Sequence, residues 1–203
     1  MNLLAINIAT LRKRTGLSIS DLANRIDCGE TTVKNIETGY TPNPSEKLLA
    51  KLAQTFGATV DGLLGKTPLD VGEKSRAVYV ADSITKSYPF IDSDNITDTV
   101  FLDRDELEGY DHFGFRMNDE SMEGARLFKG DVLIVRKEAP VKSGDTVLVL
   151  LEEQTVVRKC FFVGDEVVFK SYEKDGICSE LKFEKTSERF IIAGKVVKCL
   201  FNV

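Results

Sequence analysis

The apolar period changes once along this chain, and that change rules out a single uniform fold. Up to Leu64, hydrophobic residues recur at helical spacing. Beyond Phe113 they alternate, in short runs bounded by turn residues. The 203 residues leave room for two small domains. The expectation is an α + β protein: an all-α domain over 1–66, a linker over 67–88 and an all-β domain over 89–203.

Within 1–66 the spacing predicts five short helices. Gly16 suits a left-handed helix end. Ser18 caps the next helix, with Asp21 as its capping-box partner, and Leu22, Ala23 and Ile26 supply the apolar stripe. Asp27-Cys28-Gly29 forms a turn. A third helix over Glu30–Glu37 buries Val33 and Ile36 and stops at Gly39. Ser45 caps a fourth helix and Thr59 a fifth. Two short helices joined by a tight turn with Gly are the plan of a helix-turn-helix.

Charge is distributed unevenly along the chain. Residues 1–66 carry eight Lys/Arg against six Asp/Glu, a balance of +2, whereas the remainder carries 19 against 26, a balance of −7. The positive end is the one suited to nucleic acid. Residues 82–120 hold eleven acids and three bases. They are expected as a linker or loose edge, solvated as most charge runs are; the alternative reading is that Asp92, Asp94 and Asp98 help to keep the second domain off DNA. Cys28, Cys160, Cys178 and Cys199 form no CxxC pair, and His112 is the lone histidine. Neither a metal site nor a His-based catalytic triad is expected, nor any cofactor. Reduced thiols, no signal-like start and no apolar run near the ~18 residues of a membrane span point to the cytoplasm.

The run LRKRTGLSISDLANRIDCGETTVKNIETGYTPNPSEKLLAKLAQTFGATVDGLL resembles the helix-turn-helix domain of lambda-type phage repressors. The match rests on Leu22-Ala23, Ile36-Glu37-x-Gly39 and the closing Leu63-Leu64. The resemblance implies that Glu30–Thr38 enters the major groove of double-stranded operator DNA. Its outer face is Glu30, Thr31, Lys34 and Asn35. Asn35 suits adenine, Thr31 a thymine methyl, Glu30 cytosine N4, and Lys34 guanine or a phosphate. Gly29, Thr32, Arg14 and Tyr40 are expected at phosphates. In the resembling proteins Arg12 and Glu37 form an internal salt bridge. Where those proteins open the second helix with Gln, this chain has Ile19.

After Phe113, six strands are expected: FGFRM, DVLIVRK, DTVLVLL, TVVRKCFFV, EVVFKSY and FIIAGKVVKCLF, in a β-sandwich or barrel. The stretch from Asn118 to Phe169 is similar to the self-cleaving domain of LexA and lambda-type repressors, on the Ser121-Met122 pair, Gly130-Asp-Val-Leu and Ser143-Gly-Asp-Thr-Val. In that family a Ser–Lys dyad cuts an Ala-Gly or Cys-Gly bond in the protein's own linker. The nucleophile maps onto Ser121. The Lys maps onto Arg158, whose guanidinium stays protonated and cannot serve as the base. Lys159 is adjacent, but strand alternation turns it away unless a bulge intervenes. Between residues 66 and 120 there is no Ala-Gly or Cys-Gly, and Ala81-Asp82 is the nearest equivalent. The resemblance therefore implies a phage-type repressor, a homodimer or homotetramer in a bacterial host cytoplasm. Its peptidase is vestigial, and its release depends on an antirepressor protein. The alternative is a self-cleaving, RecA-responsive repressor using Ser121 and Lys159.

Overall fold

The structure is a computed structural model, and it describes residues 2–86, 91, 93–107, 111–152, 154–176 and 178–201. Asp92 therefore lies outside the described residues. The chain divides into two compact units, residues 1–77 with 101–106, and residues 78–100 with 107–203.

The first unit is built on α1 (Leu3–Arg14), α2 (Ile19–Arg25), α3 (Glu30–Glu37), α4 (Glu46–Phe56) and α5 (Val60–Leu63). Four helices begin at side chains that accept from a first-turn backbone N–H: Asn2, Ser18, Ser45 and Thr59. Ser18 and Asp21 complete the expected capping box. Gly39, with φ of 78°, ends α3, a left-handed turn that any Cβ would strain. Leu4, Ile8, Leu11, Leu22, Ile26, Ile36 and Leu52 form the core, all nearly or fully buried.

Residues 67–88, expected as a linker, instead carry β1 (Asp70–Val71) and β2 (Ser75–Ala81). Leu69, Val78, Val80 and Ala81 are buried. β3 (Ile96–Asp103) lies in the acidic stretch expected as a loose edge, and it pairs with β2. The apolar run of β2 is short and follows the mixed charges Asp70, Glu73, Lys74 and Arg76, while β3 carries Asp98 and Asp103 on exposed positions, so both stretches read as solvated chain.

The second unit adds β4 (His112–Arg116), β5 (Val132–Arg136), β6 (Thr146–Leu151), β7 (Gln154–Val163), β8 (Glu166–Lys170), β9 (Glu180–Glu184) and β10 (Phe190–Leu200). The six expected strands are present, and β9 is additional. Strand order is β1-β2-β4-β5-β10-β6-β7-β8-β9, one continuous hydrogen-bonded path instead of two separate sheets. β2 runs parallel to β4, and every pairing from β4 to β9 is antiparallel. Alternation on β6 sends Leu148 and Leu150 into a cluster with Phe113, Phe115 and Met122. Val147, Val149 and Leu151 join a second cluster with Cys160, Val167 and Phe169. β10 carries two register shifts, Ile192/Gly194 and Val196/Lys198. Gly194 is required there, because a Cβ would lie 2.4 Å from the Arg136 carbonyl oxygen.

Candidate functional site

Two constellations of polar side chains stand out, one in each unit. The first is the outer face of α3. The turn before it is fixed by Cys28 N–H donating to the Ala23 carbonyl at 3.0 Å. Lys51 Nζ adds a bond to the Ile26 carbonyl at 2.9 Å. From the other end, Arg12 grips Glu37 through two bonds, Nε to Oε1 at 2.6 Å and Nη2 to Oε2 at 2.9 Å. Arg12 Nη1 also donates to the Leu17 carbonyl at 3.0 Å. Both partners are mostly buried, and the bond to Glu37 raises the Arg12 pKa further. This is the salt bridge that the resemblance implied, and it ties α3 to α1.

Held this way, α3 buries Val33 and Ile36 and turns Glu30, Thr31 and Lys34 to solvent, with Thr32 and Asn35 half-buried beside them. Among the described residues, none of these five polar side chains makes a hydrogen bond or ion pair. Gly29 caps α3 without a side chain, and Tyr40 is 81% exposed just beyond its end. Arg14 stands differently from the other expected phosphate contacts. Its guanidinium lies 3.8 Å above the Phe101 ring and donates to Ser75 Oγ at 3.3 Å. Ile19 is half-buried and packs against the helical core, which accounts for an apolar residue at that position.

The second constellation surrounds Ser121. The turn that carries it is clamped by Tyr172 N–H donating to the Ser121 carbonyl at 2.8 Å and Gly124 N–H donating to the Tyr172 carbonyl at 2.7 Å. A Cβ on Gly124 would lie 2.7 Å from the Glu173 carbonyl oxygen, so the clamp needs glycine. Ser121 Oγ donates to Asp119 Oδ1 at 2.6 Å, and Ser121 N–H donates to the same oxygen at 2.9 Å. Arg158 Nη1 donates to Ser121 Oγ at 2.6 Å and to the Val157 carbonyl at 2.7 Å. Burial lowers the Arg158 pKa, while Asp119 and Glu173 oppose that change. A guanidinium starts so high that it remains a cation. The serine proton therefore points at a carboxylate, and a cation occupies an oxygen lone pair.

Lys159 points elsewhere and donates to the Gly144 carbonyl at 3.2 Å. β7 pairs with β6 and β8 without a register shift from Gln154 to Val163, so no bulge rotates it. Ala81 is fully buried opposite Phe115 in the β2–β4 pairing. Asp82 Oδ1 accepts from Thr97 Oγ1 at 3.1 Å. Arg158 is thus brought to Ser121, whereas Lys159 is not. Asp119 was missed by the sequence reading. Its signal was the Asp-x-Ser spacing, which lets a carboxylate accept the backbone N–H two residues on. In the acidic stretch, Asp98 accepts from Arg116 Nη2 at 2.7 Å, and Asp94 is exposed.

Among the described residues, no group of three or more His, Cys, Asp or Glu is placed to hold a metal, and no helix is long and apolar enough to cross a membrane.

A family model described as Peptidase S24-like matches residues 78–197, and one described as a helix-turn-helix domain matches residues 3–63. Similar curated proteins include the LexA repressor of Caldicellulosiruptor saccharolyticus, 30% identical over 84 residues, covering 41% of this chain and 42% of that protein. The LexA repressor of Sorangium cellulosum is 29% identical over 119 residues, covering 58% and 52%. That of Thermotoga petrophila is 27% identical over 135 residues, covering 61% and 66%. The chain spans about half the length of the curated relatives it matches.

Proposed function

We propose that this chain, which belongs to the Peptidase S24-like family, is a DNA-binding transcriptional repressor of temperate-phage type. The observation that carries this reading is the α3 face, where Glu30, Thr31, Lys34 and Asn35 have no side-chain partner among the described residues, on a helix braced by Arg12 and Glu37. Such a face suits base edges in the major groove. Gly29, Thr32, Tyr40 and Arg14 are proposed to contact phosphates and so set the register. A homodimer or homotetramer assembled through the second unit would place two α3 helices about 34 Å apart on a pseudo-palindrome. The test is to select a binding duplex from a random pool, then measure its affinity across salt concentrations. A salt-independent or sequence-indifferent affinity would refute the reading.

The proposal extends to the second unit. With Arg158 in place of an amine base, the chain does not cut itself, and an antirepressor protein releases it from DNA. The intact mass is measured after incubation at about pH 10, where a lysine is neutralised, and separately with activated RecA. One uncut mass is expected in both. Two fragments abolished by Ser121→Ala would instead establish the self-cleaving alternative, with Lys159 as base. Arg158→Lys is the gain-of-function partner, expected to bring back cutting only if a cleavable bond is supplied in place of Ala81-Asp82.

A further inference from the structure

We infer that Phe101–Glu106 is a strap that holds the helical unit to the rest of the chain independently of the backbone that first leaves it. The chain exits the helical unit at Ala77, returns to it at Phe101 and departs again after Glu106. The returning segment is docked on the helical unit at several points. Phe101 packs against the helical core beneath the Arg14 guanidinium, 3.8 Å from its ring centroid. Arg104 N–H donates to the Lys74 carbonyl at 2.8 Å, and its Nη1 reaches the Glu73 carbonyl at 3.4 Å. Arg104 Nε lies 3.6 Å from Asp70, whose carboxylate Arg76 already grips at 2.6 Å and 3.1 Å.

The exchange is reciprocal. The segment that follows Ala77 is built into the second unit, where Val78, Val80, Ala81 and Ile84 are buried. Val80 pairs with Gly114 and Ala81 with Phe115, in parallel. A Cβ on Gly114 would lie 2.7 Å from Val80 Cγ2, so the bare backbone there admits Val80. Ile84 N–H donates to Thr155 Oγ1 at 3.2 Å. A single backbone cut between Ile84 and Phe101 therefore leaves each fragment holding a segment of the other's unit. Two such attachments at once act multivalently, each keeping the other at high effective concentration. A cut alone does not free the DNA-binding unit; the strap must also leave. This inference does not depend on the repressor reading, because fragment association is measured without DNA.

The experiment places the recognition sequence of a site-specific protease in the turn between half-buried Ser93 and exposed Asp94, within the full-length chain. After complete cutting, denaturing gels show two fragments, and size-exclusion chromatography at micromolar concentration is expected to show one peak at the uncut position. Dilution then gives the concentration of half-dissociation. Phe101→Ala combined with Arg104→Ala is expected to raise it at least ~10-fold, in line with losing a packed aromatic ring and its ionic neighbours. Circular dichroism of the uncut variant checks its fold. Arg104→Ala alone, which leaves the Phe101 packing intact, is expected to shift it less and in the same direction. Separation of the cut wild-type chain at micromolar concentration overturns the inference, as does a half-dissociation concentration that neither variant moves.

Discussion

The α3 face and the Ser121 cluster are each a handful of polar side chains, and they are finished in opposite ways. On α3, the scaffold bonds stop at Arg12 and Glu37, and exposed Lys34 and half-buried Asn35 have no side-chain partner among the described residues. Around Ser121, the hydroxyl, the carboxylate of Asp119 and the guanidinium of Arg158 bond one another. A surface that reads a ligand leaves its hydrogen-bonding capacity open until the ligand arrives. A cluster whose members already saturate each other has little capacity left for a substrate. Pairing inside the cluster also contributes to folding, while the open face contributes almost nothing.

The strongest way to break this comparison is to remove the open side chains. Lys34→Ala with Asn35→Ala is expected to weaken binding to the selected duplex by about 30-fold to 10⁴-fold, at ~1–3 kcal/mol per contact. The urea midpoint should hardly change. Fluorescence anisotropy and a denaturation curve on one preparation decide it, and a large stability loss with intact affinity would invert the roles assigned here.

Arg12→Ala should act the other way. It leaves Glu37 mostly buried without its cation, at a cost of about 3 kcal/mol, visible as a lower urea midpoint. Arg12→Met with Glu37→Leu should recover most of that loss, because the buried carboxylate leaves with its partner.

Asp119→Ala sharpens the contrast at a smaller scale. It removes the acceptor of the Ser121 hydroxyl and the counter-charge of Arg158, with an expected cost of about 1–2 kcal/mol. DNA affinity of the folded protein should stay unchanged, and any affinity loss beyond about twofold would link the two regions.

The smallest effect concerns pH. Burial pushes the Cys160 thiol up to about 11 and, with Asp131 nearby, the Cys199 thiol up to about 12. The folded protein thus holds these protons more tightly than the unfolded chain. The resulting stability is complete below about pH 9 and is lost as pH rises through 11 and 12. Cys160→Ala and Cys199→Ala should each flatten that alkaline decline. At neutral pH a thiol reagent should modify exposed Cys178 first, and Cys160 only on unfolding.

Much of the architecture was legible because the local signals agreed with the global fold. Ser18 with Asp21, Ser45 and Thr59 mark helix starts that the structure repeats, and the six strongly alternating strands are where the spacing put them. What escaped were strands whose apolar signal is diluted by charge, half-buried on β2 and exposed on β3 and β9. β2, β3 and β9 contain Arg76, Asp98 and Lys182, and composition averaged over such segments resembles loop. At the Ser121 cluster, adjacency in sequence and alternation sufficed to separate Arg158 from Lys159. Asp119 did not stand out, because one carboxylate among eleven acids carries little information until the turn geometry selects it.

The pairing of β7, with β6 over Gln154–Lys159 and with β8 over Lys159–Val163, also constrains how this chain can change over generations. A one-residue deletion ahead of Arg158 would bring Lys159 to the place that Arg158 now holds. The same slip would turn Cys160, fully buried, out of its cluster and flip the other side chains that follow on a strand paired with β6 and then with β8. A change of strand length is therefore a costly route to a lysine beside the serine. Substitution at position 158 itself leaves the register intact, so a relative with a lysine against this serine is expected to carry it at the position of Arg158 and to keep the strand's length.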